Sequence, residues 1–206
     1  MKTNRIIGLI AFVVVAITVV YSLRGTGDDA SYRKKIEDER EEKDRFMRNS
    51  PESPFAATPD KYEGLNYFGP DIHYRVIAAL NPVTERKMRM LATNDGEQQR
   101  YLEYAYAEFK LDGATNKLLI LEIADPGPSN GKLFLAFGDE TSARETYGGG
   151  RYLDVAKMPG SSTITLDFNR AYNPYCAYVN SYSCPLPPRE NILTIPIKAG
   201  EKSYHQ

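Results

Sequence analysis

The 206-residue chain has no tryptophan, only two cysteines and only two histidines. It also lacks an excess of charge, because 26 basic and 27 acidic residues leave a net charge of −1. A balanced charge generates no field that would steer the protein to nucleic acid, so we expect no such partner. Structural zinc sites need four nitrogen or sulfur ligands. Only His73 and His205 could supplement Cys176 and Cys184, so we expect no metal site and no cofactor.

Motifs for nucleophilic and nucleotide chemistry are also missing. The sequence contains no Gly-x-Ser-x-Gly stretch, which forms the nucleophile elbow of many hydrolases. The run Gly148–Arg151 is not followed by the Lys-Ser/Thr pair of a nucleotide-binding P-loop. The sequence therefore does not identify a reaction.

One long hydrophobic run is present, from Ile6 to Leu23. Its 18 uncharged residues follow Lys2 and Arg5 and precede Arg24; as a helix they would span roughly 27 Å, enough for a hydrocarbon core. We interpret residues 1–24 as an uncleaved transmembrane anchor of a single-pass protein in the bacterial cell membrane. A cleaved signal peptide and a buried core helix are the alternatives, although no small-x-small cleavage site follows the run. Because large domains after a first helix tend to be exported, we expect an extracytoplasmic domain.

Residues 25–49 are rich in charge and poor in apolar side chains. Opposite charges recur four residues apart, which favours an exposed helix; the pairs are Glu39–Lys43, Glu41–Arg45 and Asp44–Arg48. We interpret this segment as a solvated helical stalk, with Phe46 and Met47 docking its end on the following domain.

Residues 50–206 change to short extended segments separated by turns. Candidate strands are Tyr74–Leu80, Arg86–Thr93, Lys117–Ala124, Lys132–Phe137, Arg151–Val155 and Ser162–Phe168, with Arg100–Leu111 ambiguous between helix and strand. Lys132–Phe137 is apolar from Leu133 onwards, as in a strand buried on both faces. Leu193, Ile195 and Ile197 alternate with other residues, but Pro196 would confine that strand to an edge. We predict a mainly β, single sandwich- or barrel-like domain.

Cys176 and Cys184 lie in a turn-rich segment that ends in Pro185-Leu186-Pro187-Pro188. In an oxidising compartment a disulfide between them would contribute roughly 2–3 kcal/mol on the loop-entropy model. We expect this disulfide if the domain is outside the cell; buried thiols and a reactive cysteine pair are the alternatives.

Candidate ligand-binding residues cluster where the strand Ser162–Phe168 ends and an irregular loop begins. Rigid scaffolds often aim loop side chains at ligands from such positions; the residues are Asp167, Asn169, Arg170 and Asn173, to which we add Arg151 and Glu190. Arg151 follows three glycines whose amides could hold an anion. A tight turn in the glycine run and local Asx turns in the loop are the structural alternatives.

Four blocks of the sequence resemble the bacterial and archaeal family DUF1684, a domain of unknown function. The blocks are Phe137–Ser142, Thr146–Leu153, the stretch DFNRAYNPYCAY with CPLPPREN, and Ala199–Lys202. The resemblance covers about residues 32–206. At position 143 we expect a family glycine, whereas this chain has alanine, which questions a positive-φ turn there. The resemblance implies a domain boundary and no activity.

Our leading hypothesis is a membrane-anchored, envelope-associated module that binds a small anionic or saccharide-like ligand, or an envelope protein. Whether the protein is an enzyme stays open, because a carboxylate-dependent hydrolase at the same face is an alternative. Its candidate carboxylates are Asp139, Glu140, Glu145, Asp154, Asp167, Glu190 and Glu201. A purely structural subunit of an envelope complex is the third hypothesis.

Overall fold

The computed structural model describes residues 29–156 and 159–204. Helix α1 occupies residues 29–49 of this part. Eight strands follow: β1 Arg75–Pro82, β2 Met88–Ala92, β3 Gln98–Leu111, β4 Ala114–Ile123, β5 Leu133–Phe134, β6 Ala136–Phe137, β7 Arg151–Tyr152 and β8 Thr163–Asp167. Single-turn 3-10 helices form at Pro59–Lys61, Ile72–Tyr74, Phe168–Arg170, Tyr175–Ala177 and Arg189–Asn191. A mainly β domain is therefore confirmed.

Strand β3 organises the principal sheet, which is antiparallel and has the order β5-β4-β3-β1-β8. Along one edge β3 pairs with β4 over almost its whole length, through a turn at Asp112 and Gly113 with positive φ at both residues. Along the other edge β2 pairs with the first part of β3 and β1 with the last part. The register with β4 shifts between Glu103 and Ala105, the stretch where β2 gives way to β1.

The strand buried on both faces is β4, not the predicted Lys132–Phe137. Leu118 and Ile120 enter the main core, whereas Leu119 and Leu121 pack in a separate cluster with Leu91 and Tyr101. The predicted Lys132–Phe137 strand divides into β5, which pairs with β4, and β6, which pairs with β7 in a two-stranded sheet. Neighbouring residues of this segment thus belong to two different sheets.

The buried side chain of Asn191 links these two sheets. Its Oδ1 accepts a hydrogen bond from the Leu119 amide at 2.6 Å, and its Nδ2 donates to the carbonyls of Leu119 and Ala136 at 2.9 and 2.8 Å. Asn191 therefore satisfies backbone groups of β4 and β6 that have to be paired inside the protein.

Neither a second full sheet nor a closed barrel is present in the described part of the chain. Its only other sheet is β6-β7, and the principal sheet has open ends at β5 and β8. The predicted edge strand at Leu193–Ile197 is wrong, since this segment is irregular. Leu193 and Ile197 are nevertheless buried in the main core, as their alternation indicated. The sandwich or barrel was expected because regular turn spacing does not distinguish strands from irregular extended chain.

Helix α1 packs against the domain along its length, which corrects the prediction of a solvated stalk. Ile36 and Met47 are both buried. Two of the predicted ion pairs form within the helix, Glu41–Arg45 at 4.0 Å and Asp44–Arg48 at 3.5 Å. Glu39 and Lys43 instead contact Arg170 and Glu201 of the domain, at 2.7 and 2.6 Å. Charge spacing alone did not reveal these tertiary partners.

The predicted anchor, Ile6–Leu23, lies outside the described residues. Within residues 29–156 and 159–204, no helix combines the length and apolar character needed to cross a bilayer.

Ala143 adopts a left-handed conformation with φ of 62°. The turn questioned on sequence grounds is therefore present, and it is held by an alanine. A Cβ atom in this conformation costs roughly 1–2 kcal/mol. Ala143 is exposed, so its methyl group offsets little of this cost by burial.

We expect Ala143→Gly to raise the free energy of unfolding by about 0.5–1 kcal/mol, because relief of the strain exceeds the added entropy of the unfolded chain. Chemical denaturation of the full-length chain measures this change. The matched control is Ala57→Gly, at an exposed position without positive φ, which should lower stability by up to about 1 kcal/mol. A destabilised Ala143→Gly variant would contradict the strain argument.

Candidate functional site

A cleft of about 400 Å³ lies between helix α1 and the loop that follows β8. We call it the helix–loop cleft. Its lining combines tyrosine rings with charged groups and consists of Ile36, Glu39, Arg40, Lys43, Tyr67, Asp154, Asn169, Arg170, Ala171, Tyr172, Tyr175 and Glu201. Concave, partly apolar surfaces with a few directed polar groups are typical of small-molecule sites.

The buried carboxylate of Glu201 forms one wall of the cleft. Its Oε2 accepts hydrogen bonds from the Asn173 amide at 2.9 Å and the Tyr178 hydroxyl at 2.5 Å. Its Oε1 accepts from the Tyr67 hydroxyl at 3.3 Å and lies 2.6 Å from Lys43 Nζ. A buried charge is tolerated only when it is paired and hydrogen-bonded, and Glu201 meets both conditions.

Cations from helix α1 lie over tyrosine rings of the cleft. Lys43 Nζ is 4.5 Å from the centre of the Tyr172 ring, and the Arg40 guanidinium is 4.4 Å from that of Tyr67. Arg40 also donates to the carbonyls of Phe68 and Asn169, at 2.8 and 3.2 Å. These contacts fix the helix and the rings relative to one another.

Burial raises the pKa of the cleft tyrosines well above the usual range. For Tyr67 the negative charge of Glu201 adds to the effect of burial, and for Tyr172 the charge of Asp154 does so. Tyr172 donates a hydrogen bond to Asp154 Oδ1 at 2.8 Å. Both phenols therefore remain neutral hydrogen-bond donors throughout the physiological pH range.

Arg170 is the most accessible of the predicted ligand-binding residues in the cleft, with 44% of its side chain exposed. Its Nε and Nη2 atoms bind the two carboxylate oxygens of Glu39 at 2.8 and 2.7 Å. This bidentate pair joins two lining residues of the cleft and raises the pKa of the guanidinium. The pair is exposed to solvent, so its net stabilisation is small.

Arg151 does not line the helix–loop cleft, and its burial corrects its assignment to a ligand site. It is 1% exposed and forms a buried ion pair with Asp139 at 2.9 Å. Its guanidinium also donates to the carbonyls of Ala199, Glu201 and Ile197. Arg151 is therefore a framework residue that holds the C-terminal segment.

The other predicted ligand-binding residues are separated by the fold. Asn169 lines the cleft, although its side-chain amide is bonded to the backbone of Asp71. Asp167 is buried, accepts a hydrogen bond from Tyr32 at 2.7 Å and does not line the cleft. Asn173 is buried beneath Lys202, to whose carbonyl it donates at 2.8 Å.

Glu190 lies at a different surface, where it pairs with Arg89 at 3.0 Å. The sequence argument did not find Tyr67, Lys43 or Tyr172. Asp154 and Glu201 belonged only to the wider set of candidate carboxylates. Glu201 could have been selected from the sequence, because it lies in the last of the four blocks that resemble the DUF1684 family.

Cys176 and Cys184 are adjacent, buried and free. The amide of Cys176 donates to Cys184 Sγ at 3.2 Å. The structure therefore brings the two residues together without the covalent bond, and the disulfide stays a prediction.

Comparisons with known proteins are consistent with this fold. The model of the family described as "Protein of unknown function (DUF1684)" matches residues 60–202, and so begins after helix α1. The solution NMR structure of an uncharacterized protein from Haloarcula marismortui, gene locus rrnAC0354, is 36% identical with a TM-score of 0.65. That similarity covers 87% of this chain and 98% of the other. No curated protein matches the chain. The chain belongs to the DUF1684 family.

Proposed function

We propose that the domain is a binding module and that the helix–loop cleft holds a small anionic ligand with a ring, of the acidic saccharide class. The observation that carries this proposal is that the partly exposed Arg170 guanidinium lines the same cleft as three tyrosines. The site is displaced from the predicted one, since it retains Asn169 and Arg170 but not the other four residues.

The tyrosines supply a surface for the ring of the ligand. Tyr67, Tyr172 and Tyr175 line the cleft together with the apolar side chains of Ile36 and Ala171. Aromatic side chains combine a large apolar face with a polar tip. A pyranose ring, which has C–H groups on its face and hydroxyl groups on its edge, matches both features.

Arg170 supplies the group that recognises the charge. A guanidinium binds a carboxylate or phosphate through two parallel hydrogen bonds, and Glu39 occupies that geometry in the free protein. A ligand carboxylate would replace Glu39 as the partner. Loss of the Arg170–Glu39 pair costs little free energy, because an exposed ion pair contributes only about 0–1 kcal/mol.

The state of the carboxylates favours binding over hydrolysis. Glycoside hydrolases require one carboxyl group as an acid and a second as a base or nucleophile. In the helix–loop cleft Glu39 is bound to Arg170, Glu201 to Lys43, and Asp154 to the Tyr172 hydroxyl. A paired carboxylate of this kind is poorly suited to proton transfer.

Calorimetric titration of the full-length protein with D-glucuronate and D-glucose tests the proposal, because these ligands differ by a carboxylate. We expect glucuronate to bind several-fold more tightly, as an exposed ion pair contributes up to about 1 kcal/mol. Arg170→Ala should remove this preference without unfolding the protein. Glu39→Gln should tighten glucuronate binding several-fold, since it frees the guanidinium.

The matched control is Arg189→Ala, which removes an exposed arginine that does not line the cleft. It should leave binding unchanged. Equal affinity for both sugars in the wild-type protein would contradict the proposed ligand class. Failure of Arg170→Ala to fold would instead assign Arg170 to the framework.

We also propose that residues 1–24 anchor the protein in the cell membrane with the domain outside. The support is the uncharged run Ile6–Leu23 and its basic flanks. Fractionation of cells that express the full-length chain should recover the intact protein with membranes after a carbonate wash. Intact protein in the soluble fraction, or a mature chain that begins after Leu23, would contradict this proposal.

A further inference from the structure

The two cysteines occupy unequal positions within one cluster. Cys176 belongs to the 3-10 helix Tyr175–Ala177, and its sulfur is 3.8 Å from the Tyr147 hydroxyl. Cys184 lies behind it, with its sulfur accepting the amide hydrogen of Cys176. Each thiol therefore has a defined neighbour, and the pair is asymmetric.

Cys184 is held firmly by the turn between β2 and β3. Its amide donates to Asn94 Oδ1 at 2.7 Å, and its carbonyl accepts from the Asn94 amide at 3.1 Å. The adjacent Ser183 donates to Asp95 at 2.9 Å. The position of the Cys184 sulfur next to Cys176 is thus set by the sheet.

Of the two cysteines, Cys176 is the one that lines a surface groove. An open groove of about 820 Å³ is lined by Cys176 and Tyr147 but not by Cys184. Its further lining includes the cations Arg144 and Lys202. Cys176 and Cys184 are equally buried, with 6% and 7% of each residue exposed, and the difference between them is that only Cys176 forms part of the groove wall.

The glycine run places the Tyr147 hydroxyl beside Cys176. A Cβ atom on Gly149 would lie 2.5 Å from Cε1 of the Tyr147 ring, so glycine is needed for the ring to occupy this position. Gly149 therefore allows Tyr147 to lie beside Cys176, and Arg151 at the end of the same run holds the C-terminal segment.

Hydrogen bonding supports the thiolate form of Cys176. Bonds from the Cys184 thiol, and to a smaller extent from Tyr147, lower the pKa of Cys176 to about 7 against the opposing effect of burial. The pKa of Cys184 is raised, chiefly by its interaction with Cys176. The other titratable groups on the groove are Arg144, Glu145, Lys202 and Tyr204. Thiolates, not thiols, are the nucleophiles of sulfur exchange.

We infer that Cys176 and Cys184 form an ordered thiol–disulfide exchange site, at which Cys176 attacks a low-molecular-weight disulfide from the groove and Cys184 resolves the product. In the first step the Cys176 thiolate bonds to one sulfur of the small disulfide and releases the other as a thiolate. In the second step Cys184 loses its proton to solvent and attacks Cys176 Sγ, which releases the second small thiolate. The protein dithiol is oxidised and the small disulfide is reduced to two thiols.

Reaction of the reduced full-length protein with the aromatic disulfide 5,5′-dithiobis(2-nitrobenzoate) tests this order. We expect the wild-type protein to release two equivalents of coloured thiolate and to keep no adduct. Cys184→Ser should release one equivalent and retain the adduct on Cys176. Cys176→Ser should react at least about tenfold more slowly than Cys184→Ser, because its remaining thiol belongs to a residue that does not line the groove.

Mass mapping of the protein after substoichiometric iodoacetamide provides a readout that leaves both cysteines in place. The label should fall on Cys176, and Tyr147→Phe should slow its incorporation. The inference is overturned if label falls first on Cys184, if adducts persist on both cysteines of the wild type, or if neither reacts before denaturation. It is also overturned if Cys176→Ser and Cys184→Ser react at equal rates.

Discussion

The buried ion pair between Arg151 and Asp139 is the interaction on which the candidate site depends. Both side chains are almost inaccessible to water, and burial of two charges is costly unless every hydrogen-bonding position is used. Asp139 meets this demand through the Thr141 amide and hydroxyl and the Ile197 amide. Arg151 meets most of it through three backbone carbonyls of the C-terminal segment.

This ion pair gives the irregular C-terminal segment a fixed position. Residues 193–199 form no strand, yet Arg151 holds the carbonyls of Ile197, Ala199 and Glu201 around one guanidinium. Close packing at Gly200 continues this arrangement, because a Cβ atom there would lie 2.5 Å from the Ala171 carbonyl. The Glu201 side chain is thereby presented to Lys43, Tyr67 and Tyr178, and helix α1 docks on it. Arg151 thus fixes the C-terminal segment, this segment positions Glu201, and Glu201 holds helix α1 beside the cleft.

Local signals predicted part of the regular structure. The predicted strands Tyr74–Leu80, Lys117–Ala124 and Ser162–Phe168 correspond to β1, β4 and β8, whereas Arg100–Leu111, which lies in β3, stayed ambiguous between helix and strand. Sequence spacing could not show that Lys132–Phe137 divides between two sheets, or that Glu39 and Lys43 find partners more than 100 residues away. Arg151 was predicted to bind a ligand because the sequence does not show whether an arginine binds backbone carbonyls inside the protein or a ligand at its surface. Arg170 was predicted from its position just after the strand Ser162–Phe168, and it lines the helix–loop cleft.

Hydrogen exchange of the full-length Arg151→Lys variant, compared with the wild-type protein, tests the role of Arg151 most directly. A lysine keeps the charge opposite Asp139 but cannot reach three carbonyls with one planar group. We expect the amides of Glu201, Lys202 and Asn173 to lose protection by at least about tenfold, while those at the centres of β3 and β4 change little. Unchanged protection at Glu201 and Lys202, or an equal loss throughout the sheet, would contradict the dependence of the cleft on Arg151.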